Sequence, residues 1–188
     1  MYPKEVAVRG PMARDAEDLR LALECVAGPD RSTVGAGWRL DLPRPTKGRL
    51  ADYRVAVWAD DAACRVDDDV RGAALALADA LEARGAVVDR SARPDFSPKE
   101  NLDAYQKLTA ANRALSSGEE SKVSLLQYRL AQEKRGQIQE SYRRFFEAYD
   151  VIIMPSHCTP AFPHDQGPRA GRKLGLVVDG AERTMSYW

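Results

Sequence analysis

The 188 residues give room for one domain of ordinary size, and Lys plus Arg (28) balance Asp plus Glu (28), so the formal net charge is zero. That balance removes the electrostatic reason to expect nucleic acid or an anionic membrane as partner. No apolar run reaches the roughly 18 residues of a membrane span, and the N-terminus has no signal-peptide pattern, so a cytoplasmic location is expected. Cys25, Cys64 and Cys158 are odd in number and widely spaced, which argues against a disulfide framework or a zinc ribbon. Arg outnumbers Lys 21 to 7 and Ala reaches 28, a bias that reads as a GC-rich, bacterial-like genome because the acidic residues offset the arginines.

In chain order, Gly10-Pro11 opens the first predicted helix, 11–27, with Gly10 as a permissive cap and Pro11 at the first helical position. Met12, Ala16, Leu19, Leu23 and Val26 form its apolar stripe, and Gly28-Pro29 stops it. Residues 28–52, with Gly35, Gly37, Pro43 and Pro45, read as an extended surface linker. RVAVWA (54–59) is a strand. Asp67 or Asp68 caps the next helix, which carries Val70, Ala74, Leu77 and Leu81 on one face and ends at Arg84-Gly85. Ala86-Val87-Val88 starts a second strand, so 53–90 is a βαβ unit with parallel strands.

Ser97-Pro98 starts a helix bearing Leu102, Tyr105, Leu108, Asn112 and Leu115, broken at Ser116-Ser117-Gly118. A second long helix covers 121–148 with Leu125, Tyr128, Ile138, Tyr142, Phe145 and Phe146 buried, and Gly136 as a point where it can kink or split. Val151 to Met154 is apolar on both faces and is therefore predicted to be a central strand. The rest, 155–188, is loop-like apart from a strand hint at 174–178. The fold class is α/β: a βαβ-containing, mostly parallel or mixed sheet flanked by helices, with at least three strands and four helices. So few strands leave a doubly buried central strand short of neighbours.

Little of this carries chemistry. His157, Cys158, His164 and Asp165 would be the ligands of a metal site, but an adjacent His-Cys pair cannot easily aim at one ion and the spacing fits no zinc pattern. An ordinary polar loop is the expectation, with no metal and no cofactor. Cys158 as a nucleophile would need His157, its sequence neighbour, as base, which is poor triad geometry. Asp60-Asp61 offers a carboxylate pair, while Asp67-Asp68-Asp69 reads as an acidic first helical turn. Ser116-Ser117-Gly118 reads as a turn. Arg14 and Asp18, four apart on one helix, allow an ion pair worth a few tenths of a kcal/mol.

Gly10-Pro11-Met12-Ala13-Arg14, then Asp18-Leu19, then Ala27-Gly28-Pro29-Asp30 together resemble a segment of the amidase signature family. Tyr53 to Val57, Tyr149-Asp150-Val151-Ile152-Ile153-Met154-Pro155 and Ala161-Phe162-Pro163-His164-Asp165 resemble later stretches of the same family, in the same order over essentially the whole chain. The resemblance implies hydrolysis of a carboxylic amide by a serine nucleophile, assisted by a second serine and a lysine base, inside a larger amidase-type sheet. Backbone N–H groups of a glycine-rich loop would hold the oxyanion.

The family's glycine- and serine-rich stretch and catalytic lysine lie ahead of GPMAR, where only nine residues stand here. No catalytic residue is therefore carried over, and the chain alone is expected to be inactive: one partial domain, 1–188, of an amidase acting on a small-molecule amide. Gly10, Pro11, Arg14 and Asp18 are carried over as a structural motif, with Arg14 bracing the catalytic loop. His157, in the loop that leaves a strand's C-terminal end, is the candidate substrate contact. The competing readings are a non-catalytic α/β binding module and a homo-oligomer paired through an exposed sheet edge.

Overall fold

The computed structural model describes residues 10–29, 41, 45–161 and 175–184, and the chain divides into two compact units, Met1–Thr46 and Lys47–Trp188. Most of the predicted linker 28–52 lies outside the described residues.

In the first unit, helix α1 spans Ala16–Val26. Its N-cap is Asp15, whose carboxylate accepts from Asp18 N at 2.8 Å, and Glu17 and Asp18 complement the positive end of the helix. The predicted start at Pro11 is thus five residues early: Asp15 offers the amides a side-chain acceptor that Gly10 lacks. Its ion pairs run through Arg20, to Glu17 at 2.6 Å and Glu24 at 2.5 Å, while Arg14 precedes the helix. No residue of α1 is buried, and its apolar stripe is exposed at Leu19, Leu23 and Val26.

The second unit is built on three short parallel strands, β1 (Arg54–Val57), β2 (Val87–Asp89) and β3 (Val151–Ile153), in the order β2-β1-β3. The predicted βαβ unit is present, with α2 (Asp68–Glu82) between β1 and β2. The predicted central position of β3 is not: among the described strands β1 is central, with Val55, Ala56 and Val57 at most 2% exposed, and β3 is an edge. An apolar run of three is compatible with either place, and pairing decided it.

Asp67 caps α2, accepting from Asp69 N at 3.2 Å, as expected. Ala78 is its buried residue, with Ala74 and Leu81 against the sheet core of Val55, Val57, Ala59 and Ala86. Leu77, expected inside, is half exposed. Beyond the helix Gly85 takes φ +94°, and a Cβ there would lie 3.1 Å from Ala51 Cβ, so glycine is required on both counts. Asp150 then pins the sheet's entry, accepting from Lys47 Nζ at 2.5 Å and from Arg54 N at 2.8 Å.

Helices α3 (Pro98–Ser117) and α4 (Leu125–Ala148) pack on each other, burying Ala104, Leu108 and Ala114 of the first and Ala131, Ile138 and Phe145 of the second. Tyr105 and Leu115, expected inside, are exposed, as are Leu125 and Phe146. The small alanines between the predicted positions let the backbones approach. Ser124 and Gln127 form a reciprocal capping box at the start of α4, and the helix runs unbroken through Gly136. Trp58, Phe96, Tyr142 and Phe146 form a chain of ring contacts at 5.3 to 6.2 Å that links the end of β1 to α4.

The strand hint at 174–178 is β4 (Gly175–Val178), and the chain then returns as β5 (Ala181–Thr184), an antiparallel hairpin that the reading of 155–188 as loop missed. Asp179 and Gly180 both take positive φ, 47° and 76°, as a two-residue hairpin turn demands. That Asp-Gly pair was the available signal.

Candidate functional site

From β1 the chain passes through α2 to β2 on one side, and from β2 through α3 and α4 to β3 on the other. The connections diverge at the carboxyl ends of β1 and β3, the place where open α/β sheets bind ligands. Two loops meet there, residues 58–66 after β1 and 154–161 after β3. Trp58 N donates to Ile153 O at 2.9 Å, and Asp67 N donates to Cys158 O at 2.8 Å. The hairpin turn closes the group, with Asp179 Oδ1 accepting from Asp68 N at 3.0 Å and Val178 buried.

The carboxylates here build the loop rather than form an acid–base pair. Asp60 accepts from Val66 N at 3.0 Å and from Arg65 Nη1 at 2.9 Å. Asp61 accepts from Ala63 N at 2.8 Å and from Trp58 Nε1 at 3.3 Å. The remaining cluster, Asp67 to Asp69, is the cap and first turn of α2, as the sequence pattern implies.

Cys158 is fully buried and burial raises its thiol pKa. Cys64 is pushed up to about 12, first by burial and then by Cys158, Asp61 and Asp60 nearby. Burial thus disfavours the thiolate at both cysteines, the opposite of the activation that a nucleophilic Cys158 needs. His157 Nδ1 faces its own loop, accepting from Thr159 N at 3.3 Å and lying 3.2 Å from Thr159 Oγ1. His164 and Asp165 lie outside the described residues.

The serines of the 116–118 turn are spent on the helix end: Ser116 Oγ donates to Asn112 O at 2.8 Å and Ser117 Oγ to Ala114 O at 3.3 Å. Gly10, Pro11, Arg14 and Asp18 sit at or ahead of the start of α1, in the other unit. An open depression of about 330 Å³ lies between α3 and α4, lined by Glu100, Lys107, Leu130, Lys134 and neighbours, and takes nothing from the two loops.

Arg93 was not singled out by the sequence. Its Nη1 donates to Val57 O at 2.9 Å, Ala92 O at 2.7 Å and Arg90 O at 3.2 Å, and its guanidinium lies 5.3 Å from the Trp58 ring centroid. The two loops together carry a histidine, a half-buried thiol and a buried thiol. Among the groups described in these two loops there is no activated nucleophile.

The family model described as Amidase matches residues 1–122 and 96–178. The chain is 26% identical over 196 aligned positions to the A subunit of glutamyl-tRNA(Gln) amidotransferase from Lysinibacillus sphaericus, covering 81% of this chain and 40% of that protein. It is 28% identical over 200 positions to the corresponding protein of Rubrobacter xylanophilus, covering 81% and 41%. A solved structure of fatty acid amide hydrolase superposes with a TM-score of 0.63 at 21% identity, covering 81% of this chain and 31% of that one, a likeness of fold. The chain thus spans about two-fifths of the length of the relatives it matches.

Proposed function

This chain belongs to the amidase family, and from that premise we propose that it is the non-nucleophilic portion of a hydrolase that cleaves carboxylic amide C–N bonds. The observation that carries the reading is the meeting of the loops at the carboxyl ends of β1 and β3, whose described residues include no activated attacking group. No GGSSGGS-like stretch occurs in the 188 residues. The serine pair and the lysine base act from polypeptide other than the segment carrying these loops. The lysine takes the proton that the nucleophilic serine releases, through the second hydroxyl, and the loops of this chain line one side of the amide. His157 contacts the substrate's polar end. The chain by itself does not hydrolyse amides.

The family match over most of the chain supports the amide as substrate class, and the zero net charge supports a small molecule over nucleic acid. No helix among the described residues is long and apolar enough to cross a membrane. A cytoplasmic setting and a hydrolase without cofactor are part of the same proposal. The test is His157→Ala in the assembled enzyme, the chain joined with the preceding part of an amidase-family relative. KM for a simple carboxamide rises about tenfold with kcat within about twofold, the size of one lost hydrogen bond. An unchanged KM removes His157 from the site.

The second reading, a module that binds without catalysis, is favoured by the same silent thiols and self-bonded histidine. It differs in one result: the assembled protein then binds a carboxamide and releases no ammonia.

A further inference from the structure

The start of α2 spreads its amides over three pieces of chain. The leading N–H groups of a helix have no partners inside it, so other acceptors must supply them. Asp67 N donates to Cys158 O at 2.8 Å, in the loop after β3. Asp68 N donates to Asp179 Oδ1 at 3.0 Å, in the turn of the β4–β5 hairpin. Asp69 N donates to the cap's own Asp67 Oδ1 at 3.2 Å. The hairpin turn is therefore fixed one residue away from the bond that joins α2 to the Cys158 loop.

The hairpin is otherwise a separate piece. β4 and β5 pair with each other and not with the three-stranded sheet, and two strands alone are marginally stable in water. Among the described residues, the hydrogen bond that joins them to the rest of the unit is the one Asp179 accepts. Burial alternates along β4: Val177 is 55% exposed, and Val178, next to the turn, is 2% exposed. Val178 thus turns inward where Val66, just ahead of the α2 cap, and Cys158 are also closed to solvent. The attachment is a weak one. Asp67, Asp68 and Asp69 already gather at this helix start, and Asp179 brings a further carboxylate against them.

We propose that the β4–β5 hairpin is a lid over the loops at the carboxyl ends of β1 and β3, closed by Asp179 as a latch on the start of α2, with Val178 covering the Cys158 loop. A carboxylate there is held by the amide and by the positive end of the helix, and both attractions end when the side chain swings out. Release leaves α2 its own cap, because Asp67 still accepts from Asp69 N. Opening uncovers the loop that carries His157 and Cys158. As a control on access the lid rests on the proposed function; as a moving element it is a property of these 188 residues and is tested on them alone.

The experiment alkylates the purified chain with iodoacetamide, locates the label by peptide mass, and follows amide exchange beside it. Asp179 has φ 47°, so Asp179→Gly removes the carboxylate and keeps the turn, while Asp179→Asn keeps an acceptor at the same place. Cys158 is expected to react at least about tenfold faster in Asp179→Gly than in wild type and within about threefold of wild type in Asp179→Asn, with β1 amide exchange equal in all three. In the wild-type chain the Asp68 amide exchanges together with those of the hairpin, at least about tenfold faster than those of β1. Should Asp179→Gly also speed exchange in β1, the wild-type rates decide alone. Cys158 as protected in Asp179→Gly as in wild type, equal opening by Asp179→Asn, or hairpin amides that exchange only at the β1 rate overturns the inference. A lid that opens as described, in a chain whose assembled enzyme is indifferent to His157→Ala, leaves the inference standing and removes the proposed substrate contact instead.

Discussion

The backbone amide of Asp67 donates to the carbonyl of Cys158 at 2.8 Å, joining the residue that caps α2 to the loop behind β3. One bond therefore couples the helix start, the crevice and the fully buried thiol that sits between them. Cys158→Ala removes a buried sulfur from this junction and costs about 1 kcal/mol, read as a lower denaturant midpoint at unchanged m-value.

Thiol reactivity follows the same geometry. Cys25 is exposed, Cys64 is half-buried with its pKa pushed up to about 12, and Cys158 is buried. Titration with a disulfide reagent at pH 8 modifies Cys25 rapidly, while Cys64 and Cys158 react only as denaturant is added. Rapid modification of Cys158 in the native protein refutes the packing described for the crevice.

The helical pair offers a contrast between two leucines one apolar face apart. Leu108 is 1% exposed and Leu115 is 71% exposed. Leu108→Ala costs about 2–4 kcal/mol and Leu115→Ala less than about 0.5 kcal/mol. Equal effects in thermal or urea melts contradict the burial of Leu108 and the exposure of Leu115 in the last turn of α3.

This contrast marks what the sequence could and could not reveal. Element type was legible because period, caps and stops are local: Asp67 ahead of α2, Ser97-Pro98 ahead of α3 and Gly118 behind it are written in adjacent residues. Which face turned inward was less so. The largest side chains, Leu77, Tyr105 and Leu115, marked the predicted faces, but close helix packing chose Ala78, Ala104 and Ala114. The edge position of β3 and the cap supplied by Arg93 depend on partners 36 to about 100 residues distant, which no local pattern encodes. Of the candidate site, the loop holding His157 was legible from the rule for strand ends, whereas the raised Cys64 pKa needed the fold.

Acid sensitivity should centre on Asp89. Tyr149 Oη donates to its carboxylate at 2.6 Å, and with Ser91 and Ala92 holds it well below the usual carboxylate range. A pKa depressed on folding gives stability that is present above the unfolded value of about 4 and is lost as pH falls toward the folded one. Tyr149→Phe therefore flattens the decline of the urea midpoint between about pH 4 and pH 2 relative to wild type. A slope unchanged by the substitution shows that the hydroxyl does not hold the carboxylate.

Arg93→Met keeps the aliphatic stem and removes Nη1, the one nitrogen that reaches all three carbonyls. The expected cost is about 1 kcal/mol, reduced by the exposure of the side chain, with faster amide exchange at Trp58. A neutral substitution indicates that water replaces the guanidinium at Val57 O.

Whether this chain can act alone depends on where the attacking group lies. Ammonia release from simple primary carboxamides, measured on the purified 188-residue chain alone at neutral pH, tests this most directly. The expected result is no turnover above the buffer blank. Turnover that is abolished by Ser116→Ala or His157→Ala would place the chemistry within this chain and contradict the division of labour proposed for it.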